Sequence, residues 1–418
     1  MGATITEKIL SRAAGRPVVA GETIFPDPDL VTVHDWYVVN FDKALVELGV
    51  SKLFDAKRVL ICTDHEPIAL SREAATRQKA VREIVAKYGI EQFYDSGRGG
   101  HGHVFPMEMG IVRPGMFVLA YDTHVTNYGA VGCLGFAMVT EISEVLSCGN
   151  VWIKVPETVR VNLHGKLPFG STFRDLAQKL TLDLSADLID YSVVEYGGPA
   201  MAGIGFGGRQ TLCNTPLEIG AKSAIVEPDA WTLDFVRGRT DRPFTPVVSD
   251  PDAKYKAVFD ISLDDIEPQV AAPPRPDNVM GVSKVEGIKV HHAFIGSCAN
   301  GSFEDMADAA RILRGRRVHP NVHMLITPAT NEVAAKMAAE GLYSVFIEAG
   351  ATVGTPGCGP CASGRISPLA AGEVSINTAT RNDKGRMGDP GASLYIAGPL
   401  TVAASAVAGE ISDPRKYL

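Results

Sequence analysis

The sequence predicts an α/β protein built on mainly parallel sheets. Short β-rich runs alternate with helical ones along most of the chain, and polar pairs recur where the strands end. The 418 residues exceed what one ordinary core organises, and at roughly 150 residues per domain they point to about three domains. Hydrophobic residues make up 45% and charged residues 21%, the balance of a folded globular chain. A net charge of −8 argues against a general nucleic-acid binder, which carries a basic stripe. No run approaches the ~18 apolar residues that span a bilayer, and no signal peptide is visible, so a cytoplasmic protein with no membrane partner is expected.

Taken in order, Asp29 to His34 reads as a strand and Asn40 to Leu48 as a helix. Arg58 to Cys62 is a second strand, buried on both faces by its composition. Ser71 to Tyr88 carries Ala75, Ala80, Ile84 and Val85 at helical spacing, and Ile90 to Tyr94 and Met116 to Tyr121 continue the rhythm. Val151 to Val155 is a further strand, and Val159 to Leu163 alternates like an exposed-edge strand. Phe173 to Leu180 is helical, and Leu212 to Ala221 places Asn214 and Glu218 four residues apart on one helix face. The run Ala271 to Asn278 holds three prolines and reads as a semi-rigid linker. Beyond it, Val290 to Ile295 is a strand and Phe303 to Leu313 a helix. Val322 to Ile326, Glu332 to Glu340 and Ser344 to Glu348 repeat the β-α-β pattern.

Four strands of the first part end in titratable clusters. Asp35 follows His34, Thr63-Asp64-His65 follows Cys62, the run Asp95 to His103 follows Tyr94, and Asp122-Thr123-His124 follows Tyr121. In open α/β sheets the carboxyl ends of strands face the ligand crevice, so this recurrence marks a site. The glycine-rich run Gly97 to His103 lacks both the lysine–serine pair of a phosphate loop and a dinucleotide fingerprint, and reads as a loop carrying His101 and His103.

Seven cysteines are too few for a disulfide framework and odd in number, which fits a reducing compartment. Cys62, Cys133, Cys148 and Cys213 lie in apolar surroundings and read as core residues. Cys298 stands in Gly296-Ser297-Cys298-Ala299-Asn300-Gly301, and Cys358 and Cys361 in Gly357-Cys358-Gly359-Pro360-Cys361. Structural zinc would need a fourth ligand at close spacing, and no second Cys-x-x-Cys exists. Three thiolates point instead to an iron–sulfur cluster with one iron left free of protein, able to bind substrate as a Lewis acid. Arg381 and Arg386, in Thr380-Arg381-Asn382-Asp383-Lys384-Gly385-Arg386, form a candidate anion clamp.

These motifs, Gly-Ser-Cys-x-Asn-Gly, Pro-Gly-Cys-Gly-Pro-Cys and Arg-Asn-x-x-Gly-Arg, resemble those of the aconitase superfamily over nearly the whole chain. The likeness is greatest to its isopropylmalate dehydratase and homoaconitase large-subunit branch. The resemblance implies three α/β/α-type domains around a central cleft, with boundaries expected at 1–165, 166–284 and 285–418. It implies a [4Fe–4S] cluster on Cys298, Cys358 and Cys361, whose open iron takes the substrate hydroxyl. Asp64 and His65 match the proton donor to that hydroxyl. Asp122 would pair with the histidine of the glycine loop, and His124 with Glu218. His34, Asp35, Thr123 and Asn214 match substrate-side positions, and Arg381 and Arg386 would bind carboxylates, for which planar forked donors suit. Counting back from Glu108-Met109-Gly110 and Pro114-Gly115 assigns the loop histidine to His103, the reading adopted, whereas counting forward from Gly97 puts a glycine there with His101 the nearer histidine.

The resemblance further implies a hydro-lyase or isomerase acting on a 2-hydroxy di- or tricarboxylic acid. A separate small subunit is expected to supply the fourth, swivelling domain. The chain departs from the family pattern at Thr123, Val125, Thr380 and Asp383 and at Trp36-Tyr37, all near the expected substrate, which leaves the particular hydroxy acid open. The departures at Thr123, Val125 and Thr380 motivate an alternative, a cluster-binding sensor that has lost catalysis.

Overall fold

The structure is a computed structural model that describes residues 2–418. It is α/β, with three sheets of four or more strands and an additional two-stranded ribbon. The chain divides into two compact units. The first runs to Asn162 and takes in Ile189–Ala202 and Gly220–Phe259, and the second holds Leu163–Leu188, Gly203–Ile219 and Asp260–Leu418. The anticipated middle domain is thus shared between them.

The first unit opens with helix α1 (Ile5–Ala14), closed at its start by a Thr4–Glu7 capping box and at its end by Gly15 in the left-handed region. Its main sheet is parallel, with strands β1 (Leu30–His34), β2 (Val59–Cys62), β3 (Gln92–Tyr94), β4 (Phe117–Ala120) and β5 (Leu134–Ala137) in the order β3-β2-β1-β4-β5. Every residue of β1, β2 and β4 is buried, as a sheet covered on both faces requires. Helices α2 (Asp35–Glu47) and α3 (Arg72–Tyr88) contribute Val38, Phe41, Leu45, Val81, Ile84 and Val85 to the core that also holds Val31, Val33, Val59 and Ile61. Helix α2 begins at Asp35, earlier than expected, directly off the end of β1. Successive strands lead from β1 outward to β3, and the chain then returns to build β4 and β5 on the other side. The ends of β1 and β4 therefore diverge into a crevice.

Strands β6 (Thr158–His164), β7 (Val193–Gly197), β8 (Ser223–Val226) and β9 (Ala257–Ser262) form a four-stranded sheet in the order β8-β7-β6-β9. The expected edge strand at Val159 to Leu163 lies inside this sheet, paired on both sides. Its alternation reflects its two faces: Val159, Val161 and Leu163 are fully buried, while Arg160 and Asn162 are half-buried.

In the second unit, β10 (Gln269–Ala271), β11 (Val279–Gly281), β12 (His292–Ile295), β13 (His323–Ile326), β14 (Thr352–Val353), β15 (Val374–Asn377) and β16 (Ser393–Ala397) form one sheet, ordered β11-β10-β16-β15-β12-β13-β14. Its five strands from β16 to β14 are parallel, and β10 runs antiparallel to both of its neighbours, β16 and β11. The proline-rich run is not a linker but the turn between β10 and β11, closed by the Ala272 N–H on the Asn278 carbonyl at 2.8 Å.

Two other expectations change. Ser344 to Glu348 belongs to a helix, Leu342–Ala349, that buries Leu342, Val345, Phe346 and Ala349 at helical spacing. A run as short as Ser-Val-Phe-Ile-Glu does not by its periodicity distinguish strand from helix. The helix expected from Leu212 to Ala221 is two segments, α5 (Phe206–Asn214, after α4 at Phe173–Leu184) and a 3-10 turn at Thr215–Ile219. Pro216 has no N–H to continue the α-helical ladder, so Asn214 and Glu218 lie on successive elements.

Candidate active site

The carboxyl ends of β1, β2 and β4 gather one buried acid–histidine cluster in the first unit. Asp64 is at its centre, 1% exposed. Its Oδ1 is 2.6 Å from His65 Nδ1, and its Oδ2 accepts the Gly102 N–H at 2.8 Å. Asp35 accepts the backbone N–H of His65 (3.2 Å) and of Glu66 (3.0 Å), which pins the loop that follows β2. The His34 ring stacks on His65 with centroids 3.9 Å apart.

Asp122 organises the other side of the cluster. Its Oδ1 accepts from His103 Nε2 (3.0 Å), His124 Nδ1 (3.1 Å) and the His124 N–H (2.9 Å). Its Oδ2 lies 3.8 Å from both His34 Nε2 and His65 Nε2. One carboxylate thus faces four imidazoles.

Electrostatics separates these groups. Burial depresses the His65 imidazolium, but Asp64, Asp35 and Asp122 outweigh it and raise the group to about 9. Burial pushes Asp64 up, and the histidines around it pull it far below the ordinary carboxylate range. The pair is therefore an imidazolium beside a carboxylate at neutral pH, which is a proton source held in place. Burial and the charge on His65 hold His34 down at about 3. Burial raises Asp35.

The two loop histidines have different partners. His103 reaches Asp122, while His101 accepts the His103 N–H on Nδ1 at 3.2 Å, with Asp64 Oδ2 at 3.6 Å. Burial holds His101 down at about 3, so it is neutral. Gly102 between them is dictated by space, since a Cβ there would come within 2.3 Å of Cys62 Sγ and 3.2 Å of Asp64 Oδ2. The Tyr128 hydroxyl donates to the Gly102 carbonyl at 2.7 Å. Thr123 is half-buried in the turn after Asp122.

Glu66 and its partners carried no sequence signal, whereas Trp36 and Tyr37 already stood out as departures from the family pattern. Glu66, 6% exposed, accepts a forked pair of bonds from Arg77 of α3 at 2.7 and 2.8 Å, and Gln78 bonds its carbonyl at 2.7 Å. Trp36 lies 4.7 Å from the His65 ring, and Tyr37 stacks on Tyr121 at 3.7 Å.

In the second unit, the ends of β12 and β15 are adjacent at the point where strand succession reverses. Cys298 lies in α6 (Ser297–Asn300), directly after β12. The Thr378 hydroxyl ties the ends of β12 and β15 together, accepting the Gly296 N–H and donating to the Gly296 carbonyl, each at 2.9 Å. Cys358 and Cys361 bracket a short 3-10 turn beyond β14. Gly359 is left-handed with φ 59°, and a Cβ there would crowd Thr327 and the Phe294 ring. The three cysteines are 4, 6 and 5% exposed. Asn214 Nδ2 donates to Cys298 Sγ at 3.2 Å, and Arg386 Nη2 to Cys361 Sγ at 3.6 Å. Thr380, 2% exposed, lies 4.0 Å from the same Cys361 sulfur.

Arg381 gives Nε to Glu218 Oε2 at 2.6 Å, so each of these two expected site residues has a partner in its own unit. His124 likewise bonds Asp122 in the first unit. Cys62, Cys133 and Cys213 are buried as expected, whereas Cys148 is exposed at the C-terminus of a surface helix, Ile142–Cys148. No helix among the described residues is long and apolar enough to cross a membrane.

Known proteins bear on this arrangement. The model of the aconitase family (aconitate hydratase) matches residues 50–286 and 281–409. The 3-isopropylmalate dehydratase large subunit 1 of Methanopyrus kandleri is 42% identical, with all of both chains covered. The homoaconitase large subunit of Thermus thermophilus is 41% identical over 100% of this chain and 98% of that one. The 3-isopropylmalate dehydratase large subunit of Moorella thermoacetica is 39% identical over the whole of both. Cysteine motifs at strand ends, an acid–histidine cluster and similarity over the full length agree: the chain belongs to the aconitase family of hydro-lyases.

Proposed function

We propose that the chain is the large subunit of a [4Fe–4S]-dependent enzyme that dehydrates, and can rehydrate, a 2-hydroxy di- or tricarboxylic acid. Cys298, Cys358 and Cys361 would hold the cluster. Their chemistry fits it, since all three are buried and N–H donors reach two of the sulfurs, as cluster thiolates require for stabilisation and tuning. A bound cluster supplies a Lewis-acidic iron for the hydroxyl that leaves.

The remaining work falls to the chain's own side chains. Hydroxide is a poor leaving group and must be protonated as the C–O bond breaks. The His65 imidazolium, held by Asp64 at 2.6 Å, is the proton donor in this reading, and it is the observation that carries the proposal. Asp122 fixes the ring orientations of His103 and His124. His103 is assigned as the loop's catalytic histidine because its Nε2 is directed at Asp122, whereas His101 is neutral and bonded within the loop. His34, Asp35 and Thr123 shape the substrate side in the first unit, with Asn214 and Glu218 in the second. Arg381 and Arg386 bind substrate carboxylates through forked guanidinium groups.

The relatives named above are large subunits, which supports a separate small subunit as partner, carrying the swivelling domain. The test is anaerobic reconstitution of the chain with iron, sulfide and a small subunit, followed by a panel of malate and citrate homologues. Appearance of the unsaturated acid in the ultraviolet is expected. Cluster loading without turnover of any hydroxy acid would favour a sensor instead.

A further inference from the structure

Arg174, in the first turn of α4, is a buried cation with no carboxylate in direct contact. It is 3% exposed, and it has no ion-pair partner among the described residues. Its Nη2 donates to the Ala379 carbonyl at 2.8 Å and its Nη1 to Asn300 Oδ1 at 3.4 Å. Its Nε makes no hydrogen bond. The acids of its surroundings are bonded elsewhere. Asp175 caps Thr172 and accepts the Gln269 N–H, Asp305 accepts from Ser302 and Asn300, and Glu218 accepts from Arg381. Burial lowers the guanidinium to about 10 against the pull of Glu218 and Cys298, so it stays charged at neutral pH.

A charge removed from water without a counter-charge is strongly unfavourable, and such groups persist where something else supplies the opposite sign. The two bonds Arg174 makes indicate where that is. Asn300 is two residues from Cys298 in the first cysteine motif, and Ala379 is two residues from Arg381 in the arginine motif. The motifs are 126 and 205 residues away from Arg174 in sequence, and one guanidinium joins them.

We propose that Arg174 is a positioning residue and the buried counter-cation of the cluster site, tying the Cys298 turn to the Thr378–Arg381 segment and offsetting the negative charge of three thiolates with a bound cluster. This rests on the cluster assignment above. It does not extend to substrate contact.

The experiment uses the full chain, reconstituted anaerobically, as wild type, Arg174→Met and Arg174→Lys. Iron and sulfide are counted first, and the midpoint potential of the bound cluster is then measured by titration. Loss of a nearby positive charge disfavours adding an electron, so Arg174→Met is expected to lower the potential. A tenfold change in the one-electron equilibrium corresponds to 59 mV, and a shift of at least that size is expected. Arg174→Lys, which keeps the charge and loses the fork, should return most of it. If Arg174→Met binds no cluster, loading of Arg174→Lys supports the proposal, and an equally empty Arg174→Lys overturns it. A wild-type potential in Arg174→Met also overturns it. Wild-type chain free of iron and sulfide would refute the cluster assignment itself.

Discussion

The five parallel strands of the first unit follow the order β3-β2-β1-β4-β5, and those of the second follow β14-β13-β12-β15-β16. Counted from the first strand of each set, the two orders are the same. Both place their motif residues where strand succession reverses, His34 at the end of β1 and Asp122 after β4, Cys298 and Arg381 after β12 and β15. What stands there differs in kind. The first unit presents carboxylates and imidazoles joined by short hydrogen bonds. The second presents thiols and guanidinium groups, one of which has no acid partner. Topology chose the place in both cases, and side chains alone chose the chemistry. A hydrogen-bonded acid–histidine cluster suits moving a proton, whereas guanidinium groups beside thiols suit holding an anionic cluster and carboxylates.

The largest effect should come from the second unit. Cys298→Ser removes a soft ligand for iron, and loss of bound iron and turnover below detection are expected, with circular dichroism unchanged. Retention of a full cluster would break the division of labour drawn above. In the first unit, Asp64→Asn should cost about 10²- to 10⁴-fold in kcat, the usual worth of a positioned acid, while iron and sulfide content stay at the wild-type level.

The pH dependence sharpens the same point. Asp64, Asp35 and Asp122 raise His65 from its ordinary 6.5 to about 9 against the effect of burial. A histidine raised in the folded state adds stability that is complete below about pH 6.5 and lost as pH climbs through about 9. The alkaline limb of the rate is expected near pH 9, and Asp64→Asn should move it lower. An unmoved limb would show that His65 is not the proton source.

Smaller effects test the supports. Arg381→Lys should raise KM about 10- to 100-fold, the equivalent of roughly 1.5–3 kcal/mol for a charge-assisted hydrogen bond, with kcat little changed. Arg386→Lys should do the same and also alter the cluster's absorption, because Arg386 bonds Cys361. Gly102→Ala drives a methyl into Cys62 Sγ, and overpacking of this kind costs about 1–3 kcal/mol in thermal unfolding. Cys62→Ala in the same chain should recover part of it.

Much of this was legible in the chain. The strand β1, the helix Phe303–Leu313 and the recurrence of Asp and His at strand ends follow from period and position, and the cysteine motifs from residue type and spacing. Ser344 to Glu348 was not, because Val345, Phe346 and Ile347 between two polar residues suit either element. The proline-rich run looks the same as a linker or as a hairpin turn until its flanking strands find each other. Cys148 had an apolar neighbourhood in sequence and an exposed one in space.

The residue types at the site, and hence its chemistry, were set by local sequence: a Cys-x-x-Cys among glycines, Asp-His after a strand, two arginines five apart. The partners of those residues were set by folding. Arg174 finds Asn300 and Ala379, Arg77 finds Glu66, Gly102 meets Cys62, and Glu218 binds Arg381 instead of standing apart. Spacing reports which side chains share a loop or a face, but hydrogen bonds and buried charges are also made between segments on different elements, several of them more than a hundred residues apart. Their energies depend on distance and burial that exist only once the sheets have formed.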